Sequence, residues 1–155
     1  MKFSVVGTWL LLNISEINDG VPTFPSLTWG AAPEGVIIYT ASGWVSAAIV
    51  ATEARWRPTA KPHTAADLAV IANHSLAYTG PYAVNASYTP PVGEDPKLGQ
   101  VVHGPLVVAE DPSIVGTTFM RGFRLWEEGE VLELVLRSSN ASSNTSSTLF
   151  WERVG

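Results

Sequence analysis

Apolar and polar positions along this chain fall mostly into short runs of strand length. "VIIYT" (36–40) and "WVSAAIVAT" (44–52) are two such runs, joined by Ala41-Ser42-Gly43, a hairpin-length connection. In "YAVNASY" (82–88), Tyr82, Val84, Ala86 and Tyr88 alternate with smaller or polar residues. "TWLLLNISEI" (8–17), "QVVHGPLVVA" (100–109), "TTFMRGFRLW" (117–126), "VLELVLR" (131–137) and "TLFWERV" (148–154) read as further strands. Between them, "NDGVPTFPSLTWGAAPEG" (18–35) carries Gly and Pro throughout and is expected to be a long loop. "EARWRPTAKP" (53–62) leads away from the sheet, and its prolines forbid a central strand. It reads as a solvated loop, or as a flap over a barrel mouth. "PPVGEDPKLG" is another loop, and the uncharged tract "SSNASSNTSS" (138–147) is expected to be a mobile hairpin loop.

One segment has a different period. Ala65, Leu68, Ala69, Ala72 and Leu76 recur at helical spacing and predict one α-helix over about 64–79. Thr64 is placed to cap its start and Asp67 suits the positive helix end. Gly80 is expected in the left-handed position after the helix, with Pro81 preventing continuation. On that reading Tyr78 and Tyr82 straddle a helix-to-strand corner at a barrel rim. Either they pin the helix there or they line an entrance, and both roles can hold.

About eight strands joined mostly by short connections make an all-β antiparallel meander, which closes into a barrel to remove its edges. An eight-stranded barrel has room for one small ligand. A two-residue loop at Glu128-Gly129 pairs Leu125 with Leu132, Phe123 with Leu134 and Arg121 with Leu136, which keeps the apolar partners on one face. Arg121 then points inward with Phe119, Phe123 and Leu125. Reflection about the 110–115 loop brings His103 close to Arg121. A buried guanidinium needs a partner. Arg121 meets either a carboxylate or carbonyl of the protein, or a ligand carboxylate, enolate or phenolate. His103 is either a structural histidine or a general base or hydrogen-bond donor in a cavity. His74, on the helix, and His63, in a Pro-bounded loop, are weaker candidates.

Composition narrows the partners. The chain has 155 residues, 46% hydrophobic and 15% charged, with a net charge of -5 and no basic run. Nucleic acid and anionic membrane surfaces are therefore not expected partners. With no cysteine, disulfides, thiolate metal sites and a Cys nucleophile are excluded. His63, His74 and His103 follow no metal-ligand spacing, so neither metal nor cofactor is implied. The opening "MKFSVVGTWLLLNI" lacks a small-residue cleavage site before "SEIND" and reads as a buried first strand rather than a signal peptide. No apolar run is long enough to span a bilayer. The expectation is a soluble cytoplasmic protein, 1–155 forming a single domain. The five Asn-x-Ser/Thr sequons, at Asn13, Asn73, Asn85, Asn140 and Asn144, are then chance products. No Ser-His-Asp order, phosphate loop or paired-carboxylate motif occurs.

The ordered series "GTW" (7–9), "GVIIYTASGWVSA" (35–47), "LAYTGPY" (76–82), "VVHG" (101–104), "GTTFMRGF" (116–123) and "LFWERV" (149–154) resembles the lipocalin-like domain family of bacteria and fungi. The likeness covers nearly the whole chain. It implies a β-barrel with a small-molecule cavity, and Trp9 packing across the closed end. Leu10 and Leu12 depart from the family tendency toward a more polar face. Something must then cover the outside of the first strand: the helix, the 18–35 loop or a second subunit in a homodimer.

Some fungal members sit in polyketide or terpenoid pathways. The expected function is a cofactor-free isomerase or cyclase acting on a small apolar molecule, aromatic or polyketide- or terpenoid-like. The alternative is a non-catalytic carrier of the same ligand class, and a third reading is a structural protein with a filled barrel. Expected catalytic residues are His103, Arg121 and Tyr82. Expected ligand-binding residues are Tyr39, Trp44, Ser46, Tyr78, Phe119, Phe123, Leu134 and Trp151.

Overall fold

Residues 4–93, 99–140 and 143–155 are described in the structure, a computed structural model. Among them the strands are β1 (Gly7–Asn18), β2 (Val21–Thr23), β3 (Glu34–Tyr39), β4 (Trp44–Val50), β5 (Ser75–Asn85), β6 (Gly99–His103), β7 (Val108–Ala109), β8 (Phe119–Trp126), β9 (Val131–Asn140) and β10 (Ser143–Arg153). Eight run in the order β1-β3-β4-β5-β6-β8-β9-β10, and β10 pairs back onto β1. The antiparallel sheet thus closes into a barrel, which removes its exposed edges. Short β2 and β7 add to β1 and β5.

Side-chain alternation fixes which residues face inward. On β4, Val45, Ala47 and Ile49 are buried while Trp44, Ser46 and Ala48 are exposed. Trp9, Ile37, Tyr39, Tyr78, Val101, Leu132, Leu134, Leu149 and Trp151 complete the inner core. Leu125 pairs with Leu132 and Phe123 with Leu134, as the apolar pattern requires. The ladder ends at Gly122 opposite Val135, one step short of Arg121 and Leu136.

Connectivity sorts the loops by end. The β3–β4 and β8–β9 turns share one end, the floor, with the start of β1. Trp9 is fully buried there and its indole N–H donates to the Val5 carbonyl at 2.8 Å. The Arg153 guanidinium lies 4.1 Å from the Trp9 ring and donates to the carbonyls of Gly129, Val6 and Ser4 at 3.0, 2.8 and 2.9 Å. The opposite end carries the β1–β3, β4–β5 and β6–β8 connections.

Several expectations change. The helix α1 spans only Ala65–Asn73. Its start is as expected: Thr64 accepts from the Asp67 amide, and the Asp67 carboxylate accepts from the Thr64 amide. It stops early because Ser75–Pro81 pairs residue for residue with β4, where strand hydrogen bonds outweigh helical spacing. Leu76, Tyr78, Gly80 and Tyr82 are therefore alternate residues of one strand facing inward. Gly80 is buried within β5 and is not among the positive-φ residues. A Cβ there would lie 3.1 Å from both the Leu106 Cα and the Pro105 carbonyl oxygen, so a side chain would have to push the 105–107 segment aside.

The 18–35 segment holds β2 and a Ser26–Gly30 bridge rather than loop alone. The expected strand 100–109 is split into β6 and β7 by Gly104-Pro105. The serine-rich tract continues as the ends of β9 and β10, with 141–142 outside the described residues. Residues 94–98 of the "PPVGEDPKLG" loop and the first three residues also lie outside them. Leu10 and Leu12 are 45% and 50% exposed, so neither α1 nor the 18–35 segment covers them. Leu10, Val36, Ala48 and Val50 instead contribute to a surface groove of about 490 Å³. Among the described residues no helix is long and apolar enough to cross a membrane.

Candidate functional site

Four inward residues, from β3, β5 and β6, converge inside the barrel. His103 ends β6, where it pairs with Tyr82 of β5 on one side and Phe119 of β8 on the other. Gly104 follows at φ 123°, and a Cβ there would lie 2.6 Å from the Thr117 carbonyl oxygen, so only glycine turns the chain this close to the next segment. Tyr78 enters from the same face of β5 as Tyr82. Tyr39 enters from the end of β3.

His103 is fully buried. Its Nε2 lies 2.7 Å from the Tyr39 hydroxyl and its Nδ1 lies 2.9 Å from the Tyr78 hydroxyl. The imidazole is thus held at both ends by phenols, which fixes its plane. The rings pack around it. Tyr39 meets Tyr82 edge-on at 4.9 Å between centroids, and Tyr78 meets Phe119 edge-on at 5.4 Å. The Tyr82 hydroxyl is turned away and donates to the Thr40 carbonyl at 3.0 Å.

Arg121 pairs across β6 with Val101, which directs its side chain inward beside this cluster. Its guanidinium carbon sits 4.6 Å from the Phe119 ring centroid. Its one well-formed hydrogen bond goes from Nη1 to the adjacent Met120 carbonyl at 3.3 Å. Among the described residues it has no carboxylate partner. The balancing groups that act on it are phenols, Tyr78 first and then Tyr39.

Burial and this cation set the protonation states. Burial, with Arg121 adding to it, holds the His103 imidazolium down to a pKa of about 3, so the ring is neutral at ordinary pH. Burial raises Tyr39 well above a normal phenol, and Tyr78 adds to that while Arg121 opposes it. Burial also raises Tyr78, against the pull of the guanidinium. Arg121 itself is lowered by burial, with both tyrosines opposing.

A pocket of about 400 Å³ opens beside Gly99, Phe123 and Leu125 on the β8 side. Tyr82, Phe119, Arg121, Phe123 and Leu125 all point inward yet stay half-buried, whereas Val101, His103 and Leu132 are fully buried. Trp151 is also buried, and its indole N–H has no hydrogen-bond partner. A barrel whose inner wall keeps solvent access on the β8 side, with an aromatic lining and few polar groups, has the features of a small-molecule chamber.

The family model for the lipocalin-like domain matches residues 6–154. The chain belongs to the lipocalin-like domain family. No curated protein and no solved structure shows significant similarity to it. The lipocalin-like barrel is consistent with binding a small hydrophobic molecule.

Of the residues expected at the site, this barrel brings together His103, Arg121, Tyr82, Tyr39, Tyr78 and Phe119. Phe123 extends the same wall toward Leu134, and Gly99 leaves room for its ring, since a Cβ there would lie 2.8 Å from Phe123 Cε1. Leu134 and Trp151 belong to the packed core on the β9–β10 side. Trp44 and Ser46 are corrections: both occupy outward positions of β4, opposite Pro81 and Thr79, and cannot line the interior. Neither His63 nor His74 reaches the chamber. His74 caps the end of α1, stacks on Trp56 at 3.8 Å and has its Nδ1 2.7 Å from the Thr28 carbonyl oxygen.

The bracketing of His103 by two tyrosines lies outside what the sequence pattern predicts. For Tyr78 the signal was present but masked by the helix assignment, since strand alternation through 76–82 places it on the His103 face. Among the described residues no cluster of three or more His, Asp or Glu could hold a metal ion.

Proposed function

We propose that this lipocalin-like barrel is a cofactor-free isomerase or cyclase that moves a proton on a small, largely apolar molecule bound beside Arg121. The observation that carries the reading is the fully buried His103 held between two tyrosyl hydroxyls next to a guanidinium with no carboxylate partner among the described residues. An inward cation left in this state is costly to a fold that gains nothing from it. It suits a ligand carboxylate, enolate or phenolate, or an oxyanion that develops during reaction. The wall of Phe119, Phe123 and Tyr82 favours a flat aromatic or polyketide-like body through burial and stacking. Both nitrogens of His103 are engaged by phenols, so a tyrosine rather than the imidazole meets the ligand, and His103 relays its proton.

A non-catalytic carrier is the second reading. It is favoured by the resting ionisation of the cluster, because a histidine titrating near pH 3 and raised tyrosines are all neutral near pH 7. The test is to purify the protein natively, identify the bound molecule by mass spectrometry, and incubate an excess of it with the protein. Altered product beyond one equivalent, lost in Arg121→Met and Tyr39→Phe, is the expected result. Ligand recovered unchanged after prolonged incubation supports carriage and overturns catalysis.

A further inference from the structure

The outer face of the wall built by β1, β3, β4 and β5 carries two uncharged rows of side chains. Register fixes them residue by residue. Leu10 stands opposite Val36, Val36 opposite Ala48, and Ala48 opposite Ala77. In the next row, Thr8, Ile38, Ser46, Thr79 and Val108 follow one another across five strands. These positions alternate with the buried ones of the same strands, so their side chains point out. Leu10, Ile38 and Val108 are exposed, as is Trp44 beside Pro81 at one end of the face. An antiparallel sheet with one face in water normally puts polar residues on that face. The β8–β9 wall does so, with Arg124 and Glu133 paired at 3.0 Å. The β1–β5 wall does not.

The face is also stepped. Its β1–β3 half stands high on Leu10, Val36 and Ile38, while its β4–β5 half is low, floored by Ser46, Ala48, Ala77 and Thr79. The low half is a groove of about 520 Å³, walled on its far side by Val108 of β7. Five strands at about 4.8 Å and the seven residues of β4 at about 3.3 Å make a face of about 20 by 23 Å. That footprint exceeds the roughly 400 Å² above which an exposed apolar patch marks a binding surface. Side chains standing out of the plane raise its accessible area toward the roughly 800 Å² per partner of a standard interface. A high half beside a low half is self-complementary. A two-fold axis along the strands, between β3 and β4, sets the high half of one copy into the low half of another and does the reverse at the same time. Val36 and Ile38 then meet Ala48 and Ser46 of the second copy, and Leu10 meets its Ala77. The acids nearest the face stay on its rim: Glu34 at the row of Val50, and Glu110, which accepts from the Ser75 hydroxyl at 2.6 Å. A different protein would need both a matching step and a charge-free surface, and a second copy of this chain brings both.

We propose that the chain forms a two-fold homodimer through the outer face of β1, β3, β4 and β5, sheet against sheet. The two walls pack about 10 Å apart with their strands within about 30° of one another, as aligned sheets do. Burial of Leu10, Val36 and Ile38 against the small side chains of the second copy drives the association. Each barrel keeps its own interior, because the contact lies wholly on the outside of the wall. The proposal therefore stands apart from whatever the chamber binds.

The experiment has two arms. Sedimentation equilibrium across the micromolar range should show wild type as a dimer of twice the chain mass that dissociates on dilution. Ala48→Arg places an unpaired charge at the centre of the contact and should weaken the dimer at least about 100-fold. Met120→Arg, at an exposed position of β8 outside the face, should leave it unchanged. A wild type that stays monomeric leaves the face to a partner of another kind and overturns the proposal. So does an Ala48→Arg variant that dimerises like wild type. The second arm uses the absence of cysteine from the chain. Ala48→Cys and Met120→Cys each carry one thiol, and the small Ala48→Cys change keeps the fold where arginine might not be tolerated. A bis-maleimide spanning about 10 Å, the spacing of packed sheets, should join Ala48→Cys into covalent dimers and leave Met120→Cys monomeric. Equal cross-linking of the two, or none in either, overturns the assignment of this face.

Discussion

Of the arginines that lie over aromatic rings in this barrel, Arg153 and Arg121 are treated very differently. Arg153, at the floor, lies over Trp9 and places its donors on three backbone carbonyls. Arg121, in the chamber, lies over Phe119 and finds one carbonyl at 3.3 Å. The tryptophans repeat the contrast: the Trp9 N–H is bonded to Val5, whereas the Trp151 N–H is buried without a partner. Polar groups at the floor are spent on holding the chain ends together. Polar groups facing the interior are left with capacity to spare, which a fold does not retain for stability alone.

The sharpest way to break this comparison is to remove each cation in turn. Arg153→Met leaves three carbonyls without their donor and should cost about 3 kcal/mol or more, since hydrogen bonds to charged groups contribute about 1.5–3 kcal/mol each. Arg121→Met removes a poorly paired charge from an apolar wall and should stay within about 1 kcal/mol of wild type, or exceed it. Urea unfolding of both variants measures this. Equal losses would show that Arg121 is as structural as Arg153.

Acid should act on the chamber before the floor. The folded His103 pKa is depressed to about 3 from its ordinary 6.5, so between those values the unfolded chain binds the extra proton. Stability is therefore fully retained above about pH 6.5 and falls progressively as pH drops toward 3. A urea-midpoint series from pH 7 to pH 4 should show this decline, and a His103→Gln variant should show a shallower one. Identical slopes would mean that other groups set the acid limit.

The two regions also differed in how far the sequence revealed them. Closure into a barrel, the Leu125–Leu132 and Phe123–Leu134 register, and the convergence of His103 with Arg121 were legible, because alternation and a short turn constrain them locally. The partners of His103 were not. Tyr39 is 64 residues away in sequence, and its hydroxyl reaches Nε2 only through barrel curvature, which no local pattern encodes. Tyr78 was hidden because helical spacing through Leu76 imitated a longer helix, while pairing with β4 decided the matter. Trp44 and Ser46, expected among the ligand-binding residues, stand outside by strand parity.

Gly80 sharpens the same lesson at smaller scale. Its backbone is ordinary strand, so conformational strain is not the reason for glycine. The 105–107 segment crosses where a side chain would stand, with two backbone atoms 3.1 Å from a would-be Cβ. Gly80→Val should cost at least the roughly 1–3 kcal/mol typical of overpacking, and Gly80→Ala less. Thermal melts of the pair give the order. Equal melting of Gly80→Val and wild type would show that the crossing segment yields freely, and that the chamber wall is softer than its packing suggests.

The smallest effect is expected at Tyr82. Its ring lies against Tyr39, but its hydroxyl is turned away to the Thr40 carbonyl at 3.0 Å. Tyr82→Phe keeps the ring and should cost about 0.5–1.5 kcal/mol, the worth of one internal hydrogen bond. It should leave the His103 tautomer untouched, because neither imidazole nitrogen contacts it. Tyr39→Phe removes one ring hydroxyl as well, yet the one that meets His103 Nε2. If Tyr82→Phe shifted the His103 nitrogen resonances as far as Tyr39→Phe does, the cluster would not end at the two tyrosines that flank His103. Tyr82 would then join it, and the division between a wall that packs the ligand and a relay that protonates it would have to be redrawn.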